Sequence, residues 1–404
     1  MLFLVIILSL INLILTAHAL WFVIIALTGF KKRKEFARVE ERHSFCAVIA
    51  ARNEEKVIAD VIRSLKEQHY PADLLDIYVV LNNCTDDTGK IALSSGAKVY
   101  ECQGEIKSKG DALYEFFGTG IAERYDAFCI FDADNVVDSD FILRMNDALS
   151  SGVDAAQGYR ESRNPLDSRI AGCSSAYFWF VNKLIDEPRF NSGLSAIFAG
   201  TGFMMSAGFL KKTGFDPATI AEDLEMSIQG VLKGVKVAFV REAVTYDEQP
   251  NDWKSSWNQW KRWGTGMIQC LKRYGGALRK DFSGTRSRVT LDYILNILAV
   301  TMQPLIILSA VLSFIVDALA FRMGPMTWML LLLQMLSGIV AATVAAAVII
   351  KLSGHKVKDV GFRTVCTFWI YGLSIIFANS FCFIRPEKTW KPIRHTGGKH
   401  RKDA

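Results

Sequence analysis

The sequence predicts a mainly parallel α/β domain carried on transmembrane α-helices. Three observations predict it. Between residues 45 and 244, short apolar stretches alternate with helix-patterned ones, as in a sheet with helices on both faces. Three of the strand-like stretches end in polar residues (52–54, 82–86 and 132–135), and in open α/β sheets ligands bind at that edge. Four apolar runs flank the region, at 2–27, 291–321, 328–350 and 365–384. Each reaches the about 20 residues needed to cross a hydrocarbon core.

A chain of 404 residues, 50% hydrophobic and 22% charged, has room for two or more domains. The expected division is a transmembrane helix at 1–30, a cytosolic domain at 31–250, an amphipathic interfacial helix region at 251–285, a transmembrane bundle at 286–385 and a basic tail at 386–404. A cleaved signal peptide is the competing reading of the first run. That run is long for one, and no small-x-small exit precedes Lys31. Lys31, Lys32, Arg33 and Lys34 follow directly and assign the next segment to the cytosol, with the N-terminus outside. Eight cysteines form no CxxC pair and no Cys/His cluster. In a cytosolic domain they read as small buried hydrophobes, not as bridges or zinc ligands. No nucleic-acid partner is expected.

Residues 45–50 form the first buried strand. Arg52, Asn53 and Glu54 follow, then a helix patterned on Val57, Ile58, Val61, Ile62 and Leu65. The second strand, 77–81, ends in a polar turn that starts at Asn82, in which Thr85 can cap the next helix. Val99 centres a short third strand. Lys109 and Gly110 lie where a helix opens that carries Ala112, Leu113 and Phe116 on one face. The strand 127–131 ends in Asp132-Ala133-Asp134-Asn135. Two hard oxygen donors at a strand exit suit a Mg²⁺ or Mn²⁺ that also holds phosphates. An Asp-rich surface turn is the plain alternative. No Walker loop or GxGxxG occurs, so phosphates are not held by a glycine cradle.

Further on, 155–159 reads as a strand and 168–185 as a helix. Gly200 and Thr201 sit in a glycine-punctuated loop, 198–203, where backbone can approach a substrate closely. Glu222 and Asp223 start a helix that runs to about Lys233. Acidic residues favour a first helical turn, and that alone accounts for them. A last soluble helix runs from 252 to about 274. Trp253, Trp257, Trp260 and Trp263 fall on one face of roughly 120°, as in a helix lying in the membrane interface. Gln259 and Arg262 lie on the adjoining face, which a plain anchor does not explain.

The order Asp-Ala-Asp (132–134), Glu-Asp (222–223) and Gln-Trp-Lys-Arg-Trp (259–263) resembles the family-two membrane glycosyltransferases, which include hyaluronan, poly-N-acetylglucosamine, chitin-oligosaccharide and cellulose synthases. The resemblance runs from Phe45 to the last apolar run. It implies a nucleotide-sugar-binding fold of the A type, a UDP-sugar donor, a divalent metal and inversion at the anomeric carbon. Chain elongation with export frequently accompanies these. Carried over by position, Asp132 contacts the nucleotide side and shares the metal with Asp134. Asp223 is the general base and Glu222 its acidic neighbour. Gln259, Arg262 and Trp263 bind the diphosphate and the acceptor end, and Gly200 and Thr201 lie on the acceptor side. Arg52, Asn53, Glu54, Asn82 and Lys109 belong to the donor side. Asn82 stands where relatives often carry Asp, and Ala221 where processive ones often carry Thr.

The expected activity is polymerisation of a polysaccharide exported through the chain's own bundle, in the plasma membrane with the catalytic domain cytosolic. A single transfer to a lipid acceptor and a non-catalytic membrane scaffold are the alternatives. One conflict remains in the topology. Three further spans put the C-terminus outside, yet the Lys/Arg-rich tail prefers the cytosol. Either the last run is re-entrant or the earlier spans override the charge rule.

Overall fold

The computed structural model describes residues 1–29, 35–321 and 324–387. Lys31 to Lys34 and tail residues 388–404 lie outside the described residues. In chain order the elements are α1 (Leu2–Thr28), β1 (Phe45–Ala51), α2 (Ile58–Lys66), β2 (Leu75–Leu81), α3 (Thr88–Ser94), β3 (Lys98–Glu101), α4 (Lys109–Phe117), β4 (Ala127–Asp132), β5 (Val136–Val137), α5 (Phe141–Ser150) and β6 (Ala155–Ser162). They continue with α6 (Arg169–Phe180), α7 (Glu187–Asn191), β7 (Phe203–Ser206), α8 (Ala207–Thr213), α9 (Glu222–Leu232), β8 (Val237–Asp247), α10 (Trp253–Thr285), α11 (Arg288–Phe321), α12 (Pro325–Leu352) and α13 (Phe362–Phe381).

One eight-stranded sheet has the order β3-β2-β1-β4-β7-β6-β8-β5. Its first half is parallel, as the strand–helix alternation requires. Its second half is mixed. β7 runs antiparallel to β4 and β6, β5 runs antiparallel to β8, and β6 and β8 are parallel. Both faces are covered, so the central strands are continuous apolar runs. Phe45, Ala47 and Ile49 of β1 face Ile58, Val61 and Leu65 of α2. Cys46 and Val48 face Ala112, Leu113 and Phe116 of α4. In register, Ala51 lies opposite Leu81, and Ala50 opposite Asp132. The exits of β1, β2 and β4 therefore share one edge.

Among the described residues, four helices are long and apolar enough to cross a membrane: α1, α11, α12 and α13. They are tied to the domain by side chains. Arg189 of α7 and Asp292 of α11 form an ion pair at 2.7 Å, both fully buried, and Trp21 of α1 donates to Asp292 at 2.9 Å. Ala346, Ile350, Val360 and Val365, around the α12–α13 turn, join the domain core beside Trp179, on which His355 stacks at 3.6 Å.

Two readings are corrected. Thr85 does not cap α3. That helix starts at Thr88, and the Thr85 amide instead donates to Asn53 Oδ1 at 2.8 Å. The tryptophan stripe of α10 does not face outward as a whole. Trp260 is 2% exposed and packs with Tyr177 and Tyr371, because α6 and α13 cover that face. Of the two stripe ends, Trp253 is 41% exposed, while Trp263 turns against Phe178 and Trp260. All eight cysteines are free, and most are buried.

Candidate active site

A cleft of about 420 Å³ opens at the shared strand edge. The exits of β1, β2 and β4 form its floor, with Arg52, Glu54, Asn82, Asp132 and Asp134. The start of α4 supplies Lys109, and the loop before β7 supplies Gly200. The segment 217–221 leads into Glu222 and Asp223 at the start of α9. One face of α10 closes the cleft with Gln259, Arg262 and Trp263. Residues far apart in sequence meet here because the parallel register brings the strand exits level, and because α10 crosses that edge.

Two of the expected site residues do not line the cleft. Asn53 holds a left-handed backbone, φ 59°, and its Oδ1 accepts from the Thr85 amide, so it pins two loops together. Thr201 is fully buried. Its Oγ1 accepts the Asp132 amide at 3.0 Å and donates to Asn135 Oδ1. Asn135 Oδ1 also accepts the Asp132 amide at 3.1 Å, and Arg163 Nη1 holds the Asp134 carbonyl at 2.9 Å. The Asp-Ala-Asp turn is thus fixed through its backbone, and both aspartates line the cleft.

Lys109 stands at the centre. Its ammonium lies 2.5 Å from Asp132 Oδ1 and donates to the Gly200 carbonyl at 2.6 Å. Ser108 caps the helix that carries it, in a capping box with Asp111. Burial pulls the Lys109 ammonium down, but Asp132, Glu222 and Asp223 more than offset this and hold it above its ordinary value. Burial pushes the Asp132 carboxyl up, while Lys109, Arg160 and Arg262 bring it below its ordinary value. Across the cleft, burial and then Asp223 raise Glu222 to about 7. Burial also raises Asp223, against the pull of Lys109, Arg160 and Arg262.

Two residues of the site were not expected. Arg160 lies two residues before the end of β6, and its Nε donates to Asp247 Oδ2 at 2.6 Å, with Nη1 donating to the Ala199 carbonyl at 2.6 Å. Asp247 ends β8 and accepts from Asn135 Nδ2 at 2.9 Å. Asp247 is a strand exit, the same signal that exposed Asp132, while Arg160 lies just inside its strand. Asn82 Oδ1 and Gln259 Oε1, in residues that line the cleft, are buried without a hydrogen-bond partner among the described residues. Such atoms are costly unless a ligand satisfies them.

The fold is the A-type nucleotide-sugar-binding architecture of glycosyltransferases, built on a mixed sheet and joined to helices of membrane-spanning length. Residues 43–266 match the model described as "Glycosyltransferase like family 2", and the chain belongs to that family. It is similar to the probable glycosyltransferase YdaM of Bacillus subtilis (strain 168), with 26% identity over 286 residues, 65% of this chain and 66% of that one. It is also similar to beta-monoglucosyldiacylglycerol synthase of Trichormus variabilis, with 24% identity over 298 residues, 69% of this chain and 60% of that one. The chain thus spans just under two thirds of the length of these relatives. Mannosyltransferase PcManGT from Pyrobaculum calidifontis, solved in complex with GDP-Man and Mn²⁺, shares the fold at TM-score 0.63 and 18% identity, covering 94% of this chain and 99% of that one.

Proposed function

We propose that the protein transfers a hexosyl group, with inversion, from a nucleoside-diphosphate sugar to an acceptor hydroxyl presented at the membrane face of the cleft. One juxtaposition carries this reading. Asp132 and Asp134 end β4, Glu222 and Asp223 start α9, and both pairs line one cleft with Lys109 between them and Arg262 on its wall.

Asp223 takes the acceptor hydroxyl's proton as that oxygen bonds to the anomeric carbon, typically worth 10²–10⁴-fold. The bond from that carbon to the diphosphate breaks on the opposite face, and the electron pair leaves with the phosphate. Arg262 and Lys109 stabilise the charge that develops there. Trp263 offers an apolar face to a pyranose.

Asp134, with Asp132, would hold a Mg²⁺ or Mn²⁺. Among the described residues no three or more His, Cys, Asp or Glu side chains gather as a complete metal cage. A two-carboxylate donor set fits a hard cation that completes its shell with phosphate oxygens and water. When bound, such an ion neutralises the departing diphosphate as a Lewis acid. The Mn²⁺ and GDP-Man of the archaeal mannosyltransferase support a metal and a nucleotide-sugar donor, and they put GDP-sugars beside UDP-sugars as substrates to assay.

For the acceptor we favour a lipid of the bilayer and a single transfer. The space beside Trp263 is filled by Trp260, Tyr177 and the fully buried Tyr371, so an acceptor reaches the cleft along α10 more readily than a polymer leaves through that junction. Lipid-glycosylating relatives support this. Chain elongation with export is the second reading, favoured by the Gln259-x-x-Arg262-Trp263 segment on the cleft wall. In either case the domain lies on the cytosolic side of the plasma membrane, because Lys31 to Lys34 follow the first span. Membranes containing the chain are incubated with labelled UDP- and GDP-hexoses, and the products are partitioned. Label in the lipid phase supports the first reading, and label in a high-mass aqueous product supports the second. No product from any donor would overturn both.

A further inference from the structure

We infer that Gln269 and the Glu225–Tyr274 pair are positioning residues, which clamp the cleft wall ahead of Asp223 to α10. The inference rests on the reading of Asp223 as the base. It starts from three consecutive backbone amides in the segment 217–221, which lines the cleft. Glu225 Oε2 accepts the amides of Ala218 at 2.9 Å and Thr219 at 2.7 Å. Gln269 Oε1 accepts the amide of Ile220 at 2.9 Å. Glu225 is fully buried, and its other oxygen accepts the Tyr274 hydroxyl at 2.5 Å. That hydroxyl in turn accepts from Gln229 Nε2 at 2.9 Å.

The loop has no regular structure of its own, yet these three amides are spoken for. Two are held from α9 through a carboxylate that α10 orients, and one directly from α10. Contact continues at the next residue. A Cβ on Gly266 would lie 2.5 Å from Ala221 Cβ, so only glycine lets α10 approach the residue before Glu222 this closely.

Gly266 precedes Gln269 by three residues and Cys270 by four, and Cys270 precedes Tyr274 by four. They continue the face that begins with Gln259, Arg262 and Trp263. Arg262 and Gln269 are seven residues apart, about 10 Å along a helix. One rod therefore carries both the phosphate-facing guanidinium and the anchors of the acceptor-side wall. A displacement of α10 moves both walls of the reaction space together. Neither Gln269 nor Tyr274 lines the cleft, so their effect on chemistry runs through the loop.

The test uses the full chain in nanodiscs and the variants Gln269→Leu, Gln269→Glu and Tyr274→Phe. Hydrogen–deuterium exchange reads the clamp without reference to activity. The amides of 218–220 should be protected in the wild type, and exchange should accelerate about 10-fold or more at Ile220 in Gln269→Leu. On the donor found to be used, Gln269→Leu should lower kcat about 10-fold or more while the nucleoside-diphosphate Kd stays within about 3-fold, since misplacement of a reacting group costs rate more than ground-state affinity. Gln269→Glu keeps an accepting oxygen and should recover most of the lost protection. If Tyr274→Phe fails to fold, Gln269→Leu decides alone. Unchanged exchange at 218–220, or an unchanged kcat in Gln269→Leu, overturns the inference. Protected amides in a wild type that transfers no sugar would instead remove the functional reading.

Discussion

Lys109 donates to Asp132 across 2.5 Å and so joins the start of α4 to the end of β4. The same ammonium faces the second carboxylate pair and lowers both Glu222 and Asp223 against the upward push of burial. Asp223 serves as a base only when ionised. Burial raises that carboxyl, so turnover should fall on the acid side while the pH is still above the ordinary carboxylate range. Lys109→Met removes the downward pull, so the acid limb should move to higher pH and the maximum should fall by on the order of 10²-fold. A kcat–pH profile settles it, and an acid limb that stays in place would sink the assignment. The sign for stability follows. Both carboxyls are raised in the folded state, so the protein binds more protons folded than unfolded. Stability from this pair is lost as pH rises from the ordinary carboxylate range through about 7.

Asp223→Asn keeps the shape of the base and removes its proton affinity. We expect at least an about 10²-fold loss of turnover with nucleoside-diphosphate binding retained. Normal turnover in Asp223→Asn beside a dead Glu222→Gln would exchange their roles. Isothermal titration and product formation on the same preparations separate binding from chemistry.

Much of this site was legible in the sequence, and the illegible part has a physical cause. β1, β2 and β4 are apolar runs closed by polar residues, so both the strands and their exits could be read directly. β7 has four residues directly after a glycine-punctuated loop, and β5 has two, too short to show a period. β8 faces a register shift at Gly158/Tyr159, which breaks the pattern. Arg160 and Asp247 therefore stayed hidden. They lie at and near strand ends, but their pairing depends on which strands are neighbours in space, 87 residues apart in the chain. The tryptophans of α10 failed differently. A helical wheel shows that a face is apolar, not whether lipid or α13 covers it.

The two edges of α10 should fail in different ways. Arg262→Ala removes a phosphate contact and should cost on the order of 2–4 kcal/mol of transition-state stabilisation. Arg262→Lys should rescue only partly, since a point charge cannot replace a planar fork. Trp253 is 41% exposed and meets Tyr371 at 6.1 Å between ring centroids. Trp253→Ala should lower yield and leave specific activity within a few-fold. Diphosphate release per folded molecule is the measurement, and equal losses in both would contradict the placement of Arg262 in the site.

Chelation should abolish transfer, and Mg²⁺ or Mn²⁺ should restore it. Asp134→Ala should do the same without chelator, while the Asp132–Lys109 contact survives. Undiminished turnover of Asp134→Ala in EDTA would remove the metal from the reaction.

The last apolar helix bears on topology. α13 and the residues just after it pack against the turn of α10 at 260–264. Tyr371 meets Trp260, Asn379 meets Gly264, and Glu387 pairs with Lys261 at 2.9 Å. Its C-terminal end thus stays with the helix that lines the cleft. A fluorescent protein fused after Ala404 should report the same side as the catalytic domain, where the basic tail is also favoured. A signal only from a phosphatase fusion would place the tail opposite.

The Arg189–Asp292 pair has a bearing on how the chain is made. Asp292 stands near the start of an apolar helix, where a bare carboxylate resists insertion into lipid. Its two partners, Trp21 and Arg189, are both translated before it. The elements that bear these partners, α1 and α7, are thus synthesised before the second hydrophobic segment. Removing Arg189 would leave a buried charge costing on the order of 3–5 kcal/mol. The same buried pair therefore fixes α11 to the domain and to α1 at one point.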